Sequence, residues 1–177
     1  MDRLLHHELR AVFAALAVAA VCGVGRGLVH GFSVPSDAGD LTTLFVTLCM
    51  ASALWTLLGA TRLKWVSEVR DFERAVPVED IGVVPPAGRS LRGDWFRPGF
   101  FAGYLAFTLP LALLWEAAVF LAPLWSALNW LGKAALISHW EHRHGLLLWR
   151  GHVGGEPWRL SVSRRAPAPA DTGEPPA

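Results

Sequence analysis

LTTLFVTLCMASALWTLLGAT, residues 41–61, runs the whole of its length without a charged side chain. About 20 residues at 1.5 Å rise cross a hydrocarbon layer of roughly 30 Å, so this stretch is predicted to be a transmembrane helix. Asp40 stands at the N-cap position. Arg62 and Lys64 follow the other end, where cations suit both the helix dipole and a cytoplasmic headgroup layer. The competing reading, a buried helix of a water-soluble core, is usually shorter and carries a polar stripe.

Toward the N-terminus, residues 11–32 form a second apolar segment interrupted only by Arg26. A cleaved signal peptide competes here, because a charged start, an apolar run and small residues around Ala17–Ala20 have that character. The acid in the flank HHELR and the apolar residues resuming after Arg26 favour a retained span. Toward the C-terminus, Pro98 to Ser138 holds just two charges, Glu116 and Lys133. That length is too long for one crossing. It divides either into two helices turning near Ala122–Pro123, or into one span and an amphipathic interfacial helix with Ser126, Asn129 and Lys133 on its polar face.

Positive residues choose between them. Seven Arg or Lys fall between 62 and 98, none between 31 and 40, and five after His139. The positive-inside rule then puts the N-terminus, the loop 62–98 and the C-terminal segment in the cytoplasm, which needs an even number of crossings. The expectation is an all-α membrane protein of the cell membrane with four spans near 11–32, 41–61, 99–121 and 124–140; three spans plus an interfacial helix is the alternative.

Composition agrees with that address. Apolar residues make up 53% of the 177, and charged residues only 18%, against roughly 25% in soluble domains. Two cysteines exclude a disulfide scaffold, and sixteen basic against fifteen acidic side chains gives no electrostatic case for nucleic acid. The bias of Arg over Lys, with abundant Ala, Gly, Pro and Trp, resembles high-GC actinobacterial proteins.

Outside the spans, RLKWVSEVRDFERA reads as a short amphipathic helix on the inner surface, and residues 76–99 as extended and irregular, with Trp95 and Phe96 anchoring the third helix. GLLLWRG and PWRLSVSR, separated by HVGGE, are predicted to pair as a small cytoplasmic β-hairpin within 141–165. The tail 166–177 reads as disordered. The whole of 1–140 is taken as one membrane domain.

Three features carry candidate chemistry. Ala11, Ala15, Ala19, Gly23, Gly27 and Gly31 recur every four residues, a small-residue stripe that marks a packing face for another helix, a second copy or another membrane protein. Arg26 and Glu116 reach the same outer-leaflet depth, and a charge in hydrocarbon costs at least ~2.5–3.5 kcal/mol, so an intramembrane ion pair competes with separate snorkelling. HWEHRH at 139–144 puts His139 and His142 at i, i+3 on a helix end, where they either share a metal completed by Glu141 or His144 or simply complement the C-terminal dipole. Over this hexapeptide alone it resembles the histidine boxes of membrane di-iron desaturases and hydroxylases; those enzymes use several boxes, and seven histidines in all do not supply them. Cys22 and Cys49 read as free, space-filling thiols. With no Walker loop, dinucleotide fingerprint, HExxH, GxSxG or CxxC, no cofactor is expected. The functional expectation is an accessory or interaction subunit of the membrane, with a transporter or channel component as the alternative and a His-based metal enzyme third.

Overall fold

The computed structural model describes residues 2–31, 38–61, 63, 67–78, 98–114, 121–151 and 159–164. Among them the chain is mostly helical, with one small sheet. The helices are α1 (Leu4–His30), α2 (Ala38–Ala60), α3 (Glu68–Glu73), α4 (Pro98–Leu114) and α5 (Leu121–His144). The strands are β1 (Asp2–Arg3), β2 (Val76–Pro77), β3 (Leu146–Arg150) and β4 (Leu160–Arg164).

Local chemistry sets several of these ends. Pro98 opens α4 at its first position, where its missing N–H would have no partner anyway. Pro123 lies in the first turn of α5 for the same reason, so the helix begins at Leu121, ahead of the expected turn. Ser67 caps α3, its hydroxyl accepting from the Arg70 amide at 3.0 Å. α1 stops at Gly31, whose φ of 86° and ψ of 159° form a combination that essentially only glycine adopts.

The expected hairpin is present but belongs to something larger. β3 and β4 pair antiparallel with Leu148 opposite Val162, β1 adds antiparallel to β3, and β2 adds parallel to β4. The sheet order is β1-β3-β4-β2. Three distant segments of the chain therefore meet at one end of the helices. Leu4, Phe72, Ile137, Trp140 and Leu148 form the core beneath the sheet, with the Phe72 and Trp140 rings edge to face at 5.8 Å.

Above that core the helices alternate in direction. Leu4 packs with Ile137 and Ala15 with Ala127, so α1 and α5 run antiparallel. Val18 and Cys22 meet Tyr104 to Ala112, and Arg26 reaches Ala112, so α4 runs parallel to α1. α2 packs along α5, with Thr56 lying against Gly132. The Tyr104 hydroxyl donates to Ser126 Oγ at 3.0 Å and ties α4 to α5. Tyr104→Phe should cost about 0.6 kcal/mol, the average for interhelical hydrogen bonds in membranes, read as a small fall in the thermal midpoint in detergent.

Two of these helices, α1 and α2, are long and apolar enough to cross a membrane; α4 is a shorter apolar helix. They differ in how much of their surface the protein covers. Of the most apolar window, 39% is buried in α1 but only 6% in α2. Met50 and Leu57 of α2 are 68% and 65% exposed, and Val46, Leu54 and Trp55 are also exposed.

Candidate functional site

The sheet end of the helices concentrates the buried charge. α1 begins one residue after β1, so its first two turns lie against α5 and the sheet, and His6, Glu8 and Arg10 are buried there despite their polarity. Burying them requires partners. Asp2 accepts from both terminal nitrogens of Arg10, at 2.7 and 3.2 Å. Glu141, 4% exposed, accepts from Arg3 of β1 and, through Oε1, from the Leu148 amide of β3 at 2.9 Å. Lys133 Nζ lies 3.0 Å from Glu68 and 3.7 Å from Glu8. Arg150 Nη1 and His7 Nε2 are 3.2 Å apart.

Between α1, α4, α5 and β3 these groups wall a cleft of about 300 Å³. Glu8, Arg10, Lys133 and Arg150 supply its polar side; Phe100 and Trp130 supply apolar walls. Phe100 and Trp130 also bound a second, open groove of about 510 Å³ that runs along α4 past Gly103, Tyr104 and Phe107. Lys133 and Trp130 face a further cleft on the α2 side, where Glu68 lies.

Burial shifts two of the titratable groups at this end of the helices. It raises the Glu8 carboxyl above the ordinary range, opposed by Lys133, and it lowers the His6 imidazole below 6.5, helped by Arg3. A histidine with a depressed folded value stabilises the fold above its ordinary value, and that contribution is lost as pH falls through the folded one. Glu8 works the other way, its protonated form being favoured by the fold, so its contribution is lost as pH rises through its raised value. Lowering the pH from 7.5 through 6 should therefore reveal the His6 penalty, and the fall in thermal midpoint should be smaller in His6→Gln. An identical pH profile for the two proteins would contradict this assignment.

The residues singled out from sequence have separate fates. Ala15 and Ala19 are fully and nearly fully buried, Ala15 within the α1–α5 core beside Ala127. Ala11 lines the charged cleft. A side chain at Gly23 would meet open space, Gly27 is half-buried, and Gly31 serves the helix end. Gly25, which the stripe omits, is the α1 glycine that α4 approaches: a Cβ there would lie 3.3 Å from Leu109. The Arg26 guanidinium donates to the Ala112 carbonyl at 3.0 Å, and His30 lies 3.1 Å from the Leu113 carbonyl. Both contacts put α1 side chains on carbonyls in the last described turn of α4, where the dipole favours a cation. Glu116 lies outside the described residues. His139, His142 and His144 are exposed on α5; His144 stacks on Trp140 and contacts its carbonyl at 2.9 Å. Among the described residues no three His, Cys, Asp or Glu side chains are grouped as a metal site. Cys22 and Cys49 are free thiols, Cys22 buried.

Sequence reasoning missed Glu8 and Arg150, and it offered Glu141 as a metal ligand beside His139 and His142 rather than as the partner of Arg3 and the Leu148 amide. The available signal for Glu141 was its position: Ile137, Trp140 and Glu141 stand at i, i+3 and i+4, which puts the acid on the buried stripe of α5. Comparison with protein-family models, with curated proteins and with solved structures returns no match.

Proposed function

We propose that the chain is a small multi-pass protein of the cell membrane whose α1, α2, α4 and α5 each cross the bilayer, and that it acts as an accessory or interaction subunit. The sheet is the observation that carries this reading. β1 precedes α1, β2 lies between α2 and α4, just after the short α3, and β3 and β4 follow α5, and all four belong to one sheet. Segments joined by backbone hydrogen bonds must lie on the same side of a membrane. An even number of crossings then separates each from the next, which favours four spans over three plus an interfacial helix. The Arg-rich segments 62–98 and 139–177 favour the cytoplasm as that side.

Lipid is also the natural solvent for α2, whose apolar side chains the protein leaves uncovered. An interaction role is favoured over a conduction path by where the buried charge sits. Glu8, Arg10 and Glu141 are all at the sheet end, where Arg10 and Glu141 pair with the two residues of β1 and Glu8 pairs with Lys133 of α5. Mid-height contacts of α1 are instead apolar, Val18 and Cys22 against Ala112 and Leu109.

Reporter fusions at residues 36, 85, 122 and 170 test the topology. Cytoplasmic signals at 85 and 170, and external signals at 36 and 122, are expected. An external signal at 170 would overturn the four-span reading. For the role, mild crosslinking in native membranes followed by purification should recover a stoichiometric protein partner; recovery of the chain solely as an ordered homo-oligomer would favour the transporter or channel reading instead.

A further inference from the structure

The charged cleft and the open apolar groove share two walls, Phe100 and Trp130. Together they make one amphipathic recess, polar at the sheet end and apolar along α4. The polar end lies where two apolar segments begin, beside Arg10 at the foot of the 11–32 run and beside Phe100 in the first turn of α4. If the helices cross the bilayer as proposed above, that is the depth of the inner headgroup layer. Three cations against one carboxylate wall the cleft: Arg10, Lys133 and Arg150 against Glu8. Asp2 holds Arg10 and Glu68 holds Lys133, so the three cations meet three carboxylates in all, but Asp2 and Glu68 stand outside the cleft lining, which itself presents three cations and one carboxylate.

We infer that this recess binds one anionic phospholipid of the inner leaflet, its phosphate against Lys133, Arg150 and Arg10 and one acyl chain along Phe100, Gly103, Phe107 and Trp130. A phosphate diester fits the donors by charge-assisted hydrogen bonds. A headgroup with a quaternary ammonium would bring a fourth cation to the same wall. The groove is open to the side, with Phe107 71% exposed, so a chain can enter from the surrounding lipid. The inference rests on the membrane reading but adds a ligand to it.

The test uses the full chain, purified in a neutral detergent and stripped of lipid. It is titrated with phosphatidylglycerol, with phosphatidylcholine of the same acyl chains, and with inorganic phosphate, and occupancy is read by native mass spectrometry. One phosphatidylglycerol per chain should bind about tenfold more tightly than phosphatidylcholine, a difference of about 1.4 kcal/mol, because basic side chains near a lipid surface favour anionic headgroups. Lys133→Gln with Arg150→Gln should remove most of that preference. Because those variants also lose ion pairs, Gly103→Leu is the second arm: a Cβ at Gly103 meets nothing within 4 Å, so leucine fills the groove without disturbing the helices. It should weaken both lipids at least fivefold while the thermal midpoint is kept. Equal affinity for the two lipids, or unchanged lipid binding in Gly103→Leu, would overturn the site. Displacement of the lipid by millimolar inorganic phosphate would replace it with a free-anion site. Carbonate-resistant retention in membranes, scored on the same chain, separates the two levels. If retention fails, the four-span reading falls and the site with it; if retention holds and the affinities are equal, the lipid site alone falls.

Discussion

Glu141→Ala should destabilise the purified chain by about 3–5 kcal/mol, the usual cost of removing one partner from a buried ion pair. The carboxylate does two jobs from one place on α5. Its oxygens accept from Arg3, which carries β1, and Oε1 accepts from the Leu148 amide at the centre of β3. Alanine leaves a guanidinium that is 14% exposed without its counter-ion and a buried amide without an acceptor. Glu141→Gln keeps an oxygen for Leu148 but loses the charge, so roughly half the effect is expected. Chemical denaturation in detergent reads both. The strands should lose protection from hydrogen exchange before the α1–α4 contacts do, and a loss below about 0.5 kcal/mol for alanine would show that the sheet is held by other means.

Substitution of Gly132 should have the next largest effect. α2 presents Ser52, Thr56 and Gly59 to α5, its small and polar residues at i, i+4 and i+7, and Gly132 lies against Thr56. Any Cβ at 132 would collide with the Thr56 hydroxyl, which donates to the Ser52 carbonyl at 2.9 Å. Overpacking of this kind costs about 1–3 kcal/mol. Gly132→Val should approach the upper figure and Gly132→Ala the lower. Adding Thr56→Ala removes the colliding hydroxyl and methyl, so the double variant Thr56→Ala, Gly132→Ala should regain part of the loss. Strictly additive losses would contradict a direct contact. This seam is the close helix approach that the every-fourth-residue pattern on α1 had suggested for a different face.

Sequence reading reached the elements that announce themselves by period or length. The uncharged run at 41–61 is α2, and the β-prone stretches around Leu148 and Val162 are β3 and β4. It could not reach β1 and β2, because two-residue strands have no periodicity to detect and their partners lie far along the chain. Those two strands carry the topological information, so the strongest argument for an even number of crossings was invisible at that stage. The candidate site was legible in part. Lys133 stood out as a charge in an apolar segment, whereas Glu8 and Arg10 read as an ordinary polar flank and Glu141 was hidden inside a histidine-rich hexapeptide. Burial decides which charges must pair, and burial depends on contacts between α1, α5 and the sheet that no local pattern encodes. For Arg26 the sequence offers an ion pair with Glu116 or separate snorkelling. The partner found is a main-chain carbonyl of α4, and the acid proposed for it lies outside the described residues.

The central claim is that α2 and its neighbours are solvated by acyl chains. Washing cell membranes with alkaline carbonate, and then assaying pellet and supernatant for the chain, tests it most directly. Full retention in the pellet, with release only by detergent, is the predicted result; quantitative release into the aqueous fraction as a monodisperse species would contradict it.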